Sequence, residues 1–156
     1  MSGVNSALYY VLLVVHILSI VAIFGPALVF PSLARKAIDL KGESGASVMK
    51  IAQFANGPIA LGGLVALVLA GIGLVVVSDG AWGFDEPWIS AGFAIALALF
   101  GVGWFMTQPA ITKLRAALSE SASDEKLRTL RSQLAMSTGF MHLAMAVAVV
   151  LMVWKP

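Results

Sequence analysis

Residues 51–78 read IAQFANGPIALGGLVALVLAGIGLVVVS, twenty-eight positions without a single Asp, Glu, Lys or Arg. Crossing the hydrocarbon core of a bilayer takes roughly 20 apolar residues in a helix that rises 1.5 Å per residue. This stretch is long enough for one crossing, and it has no polar face to turn toward water. Residues 1–34, 87–112 and 132–154 are equally free of charge, so the pattern recurs four times. The expected fold is therefore all-α, a polytopic membrane protein built as a four-transmembrane-helix bundle. Its spans are expected near 7–30, 57–78, 88–108 and 134–154, within one domain covering 1–156.

Composition supports this reading. Of 156 residues, 60% are hydrophobic and 12% charged, with a mean hydropathy of +0.94. Soluble domains carry about a quarter charged residues, so this chain cannot cover its own surface in water. Disorder, a nucleic-acid-binding arm and an ordinary soluble enzyme are excluded together. The absence of cysteine removes disulfides, thiolate nucleophiles and thiol-ligated metal centres. The N-terminus has no basic residue before its long apolar run, unlike a signal peptide, and is expected to be a retained helix.

Charges between the spans give an orientation. The first linker carries Arg35, Lys36, Lys41 and Lys50, and the third carries Lys113, Arg115, Lys126, Arg128 and Arg131. The second has no basic residue, only Asp79, Asp85 and Glu86. The positive-inside rule then predicts a bacterial cytoplasmic membrane protein with both termini outside. Tyr9, Tyr10, Trp82, Trp88 and Trp154 would form the outer aromatic belt. Pro26 and Pro31 are expected to end or bend the first helix. Asn56-Gly57-Pro58 should open or kink the second, Asp85 should cap the third, and Ser123 should cap a fourth helix that begins in the cytoplasm.

The halves echo each other at an offset of 78, with Gly25 on Gly103, Pro31 on Pro109 and Arg35 on Lys113. Two parallel hairpins related by an axis along the membrane normal would produce this, and so would any two hairpins that obey the charge rule. Small residues at spacings near four (Gly62, Ala66, Ala70; Gly92, Ala96; Gly139, Ala144, Ala148) are expected to pack helices closely, within the monomer or in a homo-oligomer.

Only two ionisable side chains lie inside the spans, His16 and His142. Groups of this kind are costly in a membrane and need a reason. His16 lies nine residues from position 7 and His142 twelve from Trp154, about 14 and 18 Å from the outer ends. Similar depth on antiparallel helices makes them candidate axial ligands of a b-type haem, or ligands of copper, with Met145 and Met141 in support. The alternative is structural, with each imidazole hydrogen-bonded to Ser19, Thr138 or a backbone carbonyl. Gln53, Asn56, Thr107 and Gln108 could line a cytoplasmic entrance or cap helices. The outer acids could bind a cation or simply be solvated. A small transporter or channel would need a polar path, for which the spans supply few groups. The leading expectation is a non-enzymatic membrane component or accessory subunit, in contact with lipid and with a membrane protein partner or a second copy.

Several motifs carry a family resemblance. They are Val15-His16-Ile17-Leu18 leading through Gly25 to Pro31 and Arg35, then Gly57-Pro58, then Leu69-Ala70-Gly71-Ile72-Gly73-Leu74, and finally the ending Leu151-Met152-Val153-Trp154-Lys155-Pro156. Together they resemble a bacterial family of predicted four-helix integral membrane proteins of unknown function, over essentially the whole chain. More distantly, a first-helix histidine followed by a glycine and a basic loop is similar to the copper-resistance D proteins and the membrane-bound protoporphyrinogen oxidases. That likeness implies a ligand role for His16 alone. The intramembrane lysine of the oxidase pattern has no counterpart here.

Overall fold

The computed structural model describes Val4 and residues 6–155. Most of the N-terminal leader before Ser6, and the final Pro156 of the Lys-Pro ending, lie outside the described residues. Six α-helices follow in order: α1 Ala7–Leu40, α2 Gly42–Phe54, α3 Ala60–Val76, α4 Pro87–Val102, α5 Gln108–Ser119 and α6 Asp124–Trp154. The π-helical turn Ala55–Ile59 joins α2 to α3 without a break, and Gly103–Thr107 joins α4 to α5 in the same way. Four continuous rods result, each long and apolar enough to cross a membrane. Among the described residues there is no strand. The molecule is an all-helical bundle of four membrane-spanning rods.

The rods are longer than the expected spans. At 1.5 Å per residue the 34 residues of α1 extend about 51 Å, against a hydrocarbon core of about 30 Å. The surplus lies at the end with the basic linkers. There Phe30, Ala34 and Ala37 of α1, Met49 of α2, Ile111, Leu114 and Leu118 of α5, and Leu127, Leu130 and Leu134 of α6 form one buried cluster. Seven of them are among the molecule's largest fully buried side chains. Apolar positions here alternate with charges, which hides them from a search for uncharged windows. Lys41 and Asp124 pair at 2.6 Å across the surface of this end. The Lys41 ammonium, through its hydrogen bond and then its charge, holds the Asp124 carboxyl below the ordinary carboxylate range.

Proline accounts for the irregularities. Neither Pro26 nor Pro31 ends α1, which continues to Leu40. Proline in a helix interior removes one i→i−4 hydrogen bond, and in lipid the freed carbonyl must find another donor. Both π turns sit beside prolines, Pro58 within the first and Pro109 just after the second. π turns of this sort are a common way for a helix to absorb a broken hydrogen-bond ladder. Asn56-Gly57-Pro58 therefore marks a change of pitch inside a continuous rod rather than a helix start.

Capping is as expected at one end and different at another. Ser123 Oγ accepts from the Lys126 amide, with Asp124 and Glu125 in the first turn of α6. At α4 the N-cap is Glu86, with no side-chain cap, and Pro87 opens the helix. Asp85 does not cap it.

Small residues divide into two groups. A Cβ on Gly63 would stand 3.0 Å from Ala22 Cβ and 3.2 Å from the Ser19 carbonyl oxygen, so α1 and α3 touch there. Ala70, seven residues on along α3, is also buried. Gly62, Gly101, Gly103 and Gly139 face open space. The packing residue of the Gly62–Gly63 pair is the second.

Candidate functional site

α1 packs along α3, and α4 along α6. Away from the basic linkers the two pairs border a half-open cavity of about 360 Å3. Its walls are almost wholly aliphatic and aromatic, including Ile20 and Phe24 of α1, Leu67 and Leu74 of α3, Phe93 and Leu99 of α4, and Met145 and Met152 of α6. Tyr9, Trp82, Trp88 and Lys155 stand around the helix ends that border it. The two indoles meet edge to face with centroids 5.5 Å apart. The Lys155 ammonium lies 4.2 Å from the centre of Trp82 and 5.4 Å from that of Trp88. The turn holding Trp82 is fixed by buried Ser78, whose Oγ accepts from the Trp82 amide and donates to the Val75 carbonyl.

His16 is the one imidazole in the cavity wall. Its Nδ1 lies 3.0 Å from the Leu67 carbonyl oxygen on α3. A carbonyl only accepts, so Nδ1 carries the proton and the neutral ring keeps its lone pair on Nε2. The Nδ1–Cε1 edge is turned to α3 beside Gly71, and the ring forms part of the cavity wall.

His142 is elsewhere. Its Nε2 lies 2.9 Å from the carbonyl oxygen of Ala27. Ala27 is four residues before Pro31, so its carbonyl is one of those that proline deprives of a helical donor. The imidazole supplies the missing N–H and ties α6 to α1. Ala27 is also eleven residues beyond His16 along α1, about 16 Å at helical rise. Ligand nitrogens sharing one ion at about 2 Å each sit within about 4 Å of each other. With the His142 ring anchored at the Ala27 end of that interval, the two rings cannot share an ion in this arrangement. The similar depths counted from the sequence do not hold, because the register of α6 against α1 is set by the Ala27 contact.

The methionines also part company. Met145 is buried and reaches the cavity wall, whereas Met141 accepts a hydrogen bond from Thr107 Oγ1 at 3.5 Å in the buried layer below. Ser19 and Thr138 bond to carbonyls of their own helices rather than to either histidine. Met152, Trp82, Trp88 and Lys155 belong to the cavity although the sequence singled out none of them as site residues. The tryptophans at the expected outer interface and the Lys-Pro ending were the available signals.

A second polar group lies near the π turns. Gln53 donates to Thr112 Oγ1 at 3.1 Å and accepts from the Arg115 guanidinium at 2.8 Å, while Asn56 bonds back to the Ala52 carbonyl. The Gln108 amide nitrogen is buried beside Gly57 with no partner among the described residues. Among the described residues no three His, Cys, Asp or Glu side chains gather as a metal-binding group.

A family model described as "Predicted integral membrane protein (DUF2269)" matches residues 10–156. The chain belongs to this family. It is thus an integral membrane protein, and its apolar outer surface is in contact with lipid. The family description gives a location and no activity. No curated protein and no solved structure matches the chain. What the site can do must come from its own chemistry: a half-open apolar volume, one unpaired imidazole nitrogen, two thioethers, and a rim of indoles with an ammonium.

Proposed function

We propose that this protein is a non-enzymatic membrane component that holds a lipophilic ligand in the cavity between the α1–α3 and α4–α6 pairs. It stands in a bacterial cytoplasmic membrane as one bundle domain over 1–156, both termini outside, and serves as a carrier or as an accessory subunit to another membrane protein. The observation that carries this reading is the cavity itself, about 360 Å3 of apolar volume with a single imidazole in its wall. Ligand sites are typically of this kind, mostly apolar with few polar groups that fix orientation. The basic linkers lie at the opposite end, so the positive-inside rule supports a cavity that opens to the outer leaflet. The test is mass spectrometry of the organic extract of protein purified in mild detergent. One lipophilic species should be enriched over the bulk membrane extract, and Ala148→Trp, which fills the cavity, should lose it. Extracts identical to bulk lipid for both proteins would contradict the reading.

A second reading places a b-type haem or a copper ion in the same cavity. What favours it is that an imidazole whose other nitrogen donates to a carbonyl is the usual form of a metal-ligating histidine, and that Met145 and Met152 bring thioethers to the same walls. His16 is also the residue that the distant likeness to the copper-resistance D proteins and protoporphyrinogen oxidases points to. His16 with Met145 or Met152 would hold the group, and His142 would not take part. The group would supply one-electron chemistry or metal transfer. An absorption spectrum of oxidised and reduced protein, with metal analysis of the same sample, tests it. A Soret band or stoichiometric copper lost in His16→Ala and retained in His142→Ala is the expected pattern.

A further inference from the structure

We propose that the ligand is a lipophile bearing a hydroxyl group (an alcohol, a phenol or a hydroquinone) whose O–H donates to His16 Nε2; this rests on the reading of the cavity as a ligand site. The Leu67 carbonyl fixes the proton on Nδ1, so Nε2 of the neutral ring can only accept. Among the described residues no protein donor meets Nε2. Elsewhere on the wall the polar groups belong to Tyr9, Trp82, Trp88 and Lys155. Tyr9 lies seven residues before His16, about 10 Å along α1, so these groups stand near the opening. Indole and ammonium groups only donate. The cavity therefore offers an acceptor at His16 and mainly donors at its rim, where only the Tyr9 hydroxyl can also accept.

A ligand made only of acceptors would leave Nε2 unpaired and desolvated, which opposes binding. Ketones, quinones, esters and ethers are disfavoured on this ground. A carboxylate likewise brings no donor for Nε2, so it gains nothing in the depth of the cavity. A hydroxyl on an apolar body satisfies the imidazole acceptor in the cavity wall and leaves the remaining surface to apolar walls.

The experiment compares 4-octylphenol with its methyl ether, 4-octylanisole, in which a methyl group replaces the hydroxyl hydrogen and removes the donor. Each is bound to the full chain in phosphatidylcholine nanodiscs that are free of metal, with empty nanodiscs as the blank. The phenol should bind about tenfold more tightly than the ether, the scale of one neutral hydrogen bond left unmade. In His16→Phe the preference should vanish while ether binding remains, and Ala148→Trp should bind neither compound. Equal binding of both compounds by the unmodified protein would overturn the hydroxyl inference and leave the cavity reading standing. Binding of neither above the blank would overturn the cavity reading and the inference with it. The decisive comparison uses the unmodified chain and does not depend on any variant folding.

Discussion

Pro31 has no N–H to give the carbonyl of Ala27, and a histidine from another helix provides one. His142 therefore acts as a replacement helical donor that also joins two rods. Interhelical hydrogen bonds in membranes are worth about 0.6 kcal/mol on average and up to about 1.7. His142→Ala should lower stability by about 1 kcal/mol and leave ligand binding unchanged. Pro31→Ala restores the local donor, so in that background His142→Ala should cost measurably less. A thermal-denaturation double-mutant cycle reads this coupling, and equal losses in the two backgrounds would contradict the assignment. Both histidines stand out in the sequence, because so few ionisable groups enter the spans. Their division of labour does not, since it depends on the sliding of α6 against α1. The spacing of Ala27 and Pro31 was the available sign that a donor was needed there.

At the scale of elements, four crossings were legible because the membrane interior tolerates few charges, and charge-free windows reveal that directly. The true helix ends were not. Beyond the hydrocarbon the rods continue as amphipathic segments whose leucines and alanines meet in the cluster around Leu114 and Leu134, interleaved with lysines and arginines that face outward. The π turns were legible only as prolines, because a change of helical pitch leaves no further mark on composition. Packing was half legible. Small residues announce a close approach, but adjacent glycines leave its side undecided. Gly63→Ala should destabilise the bundle by about 1–3 kcal/mol, since its methyl meets Ala22 and a backbone oxygen at 3.0–3.2 Å. Gly62→Ala meets nothing and should be neutral or stabilising by up to about 1 kcal/mol. Parallel melting curves in one detergent check the pair, and similar losses for both would contradict the register of α1 against α3.

For the whole molecule, one end is a well-filled core and the other borders a half-open cavity, and the basic linkers mark the filled end. Orientation decides which leaflet the cavity, and with it the proposed ligand site, faces. With no native cysteine in the chain, single cysteines report topology without background. Ala81→Cys, in the acidic linker, should react with a membrane-impermeant maleimide added to intact spheroplasts, whereas Ser121→Cys should react only after lysis. The reverse pattern would put the cavity in the inner leaflet.

The account turns on the two imidazoles holding opposite tautomers, and nitrogen-15 NMR of histidine-labelled protein in bilayers reads them directly. The chain has only two histidines, so each signal can be assigned by a single His16→Phe variant. His16 should be the Nδ1–H form with a bare Nε2, and His142 the Nε2–H form with a bare Nδ1. A proton on Nε2 of His16 would remove the acceptor on which the site is built and contradict the account.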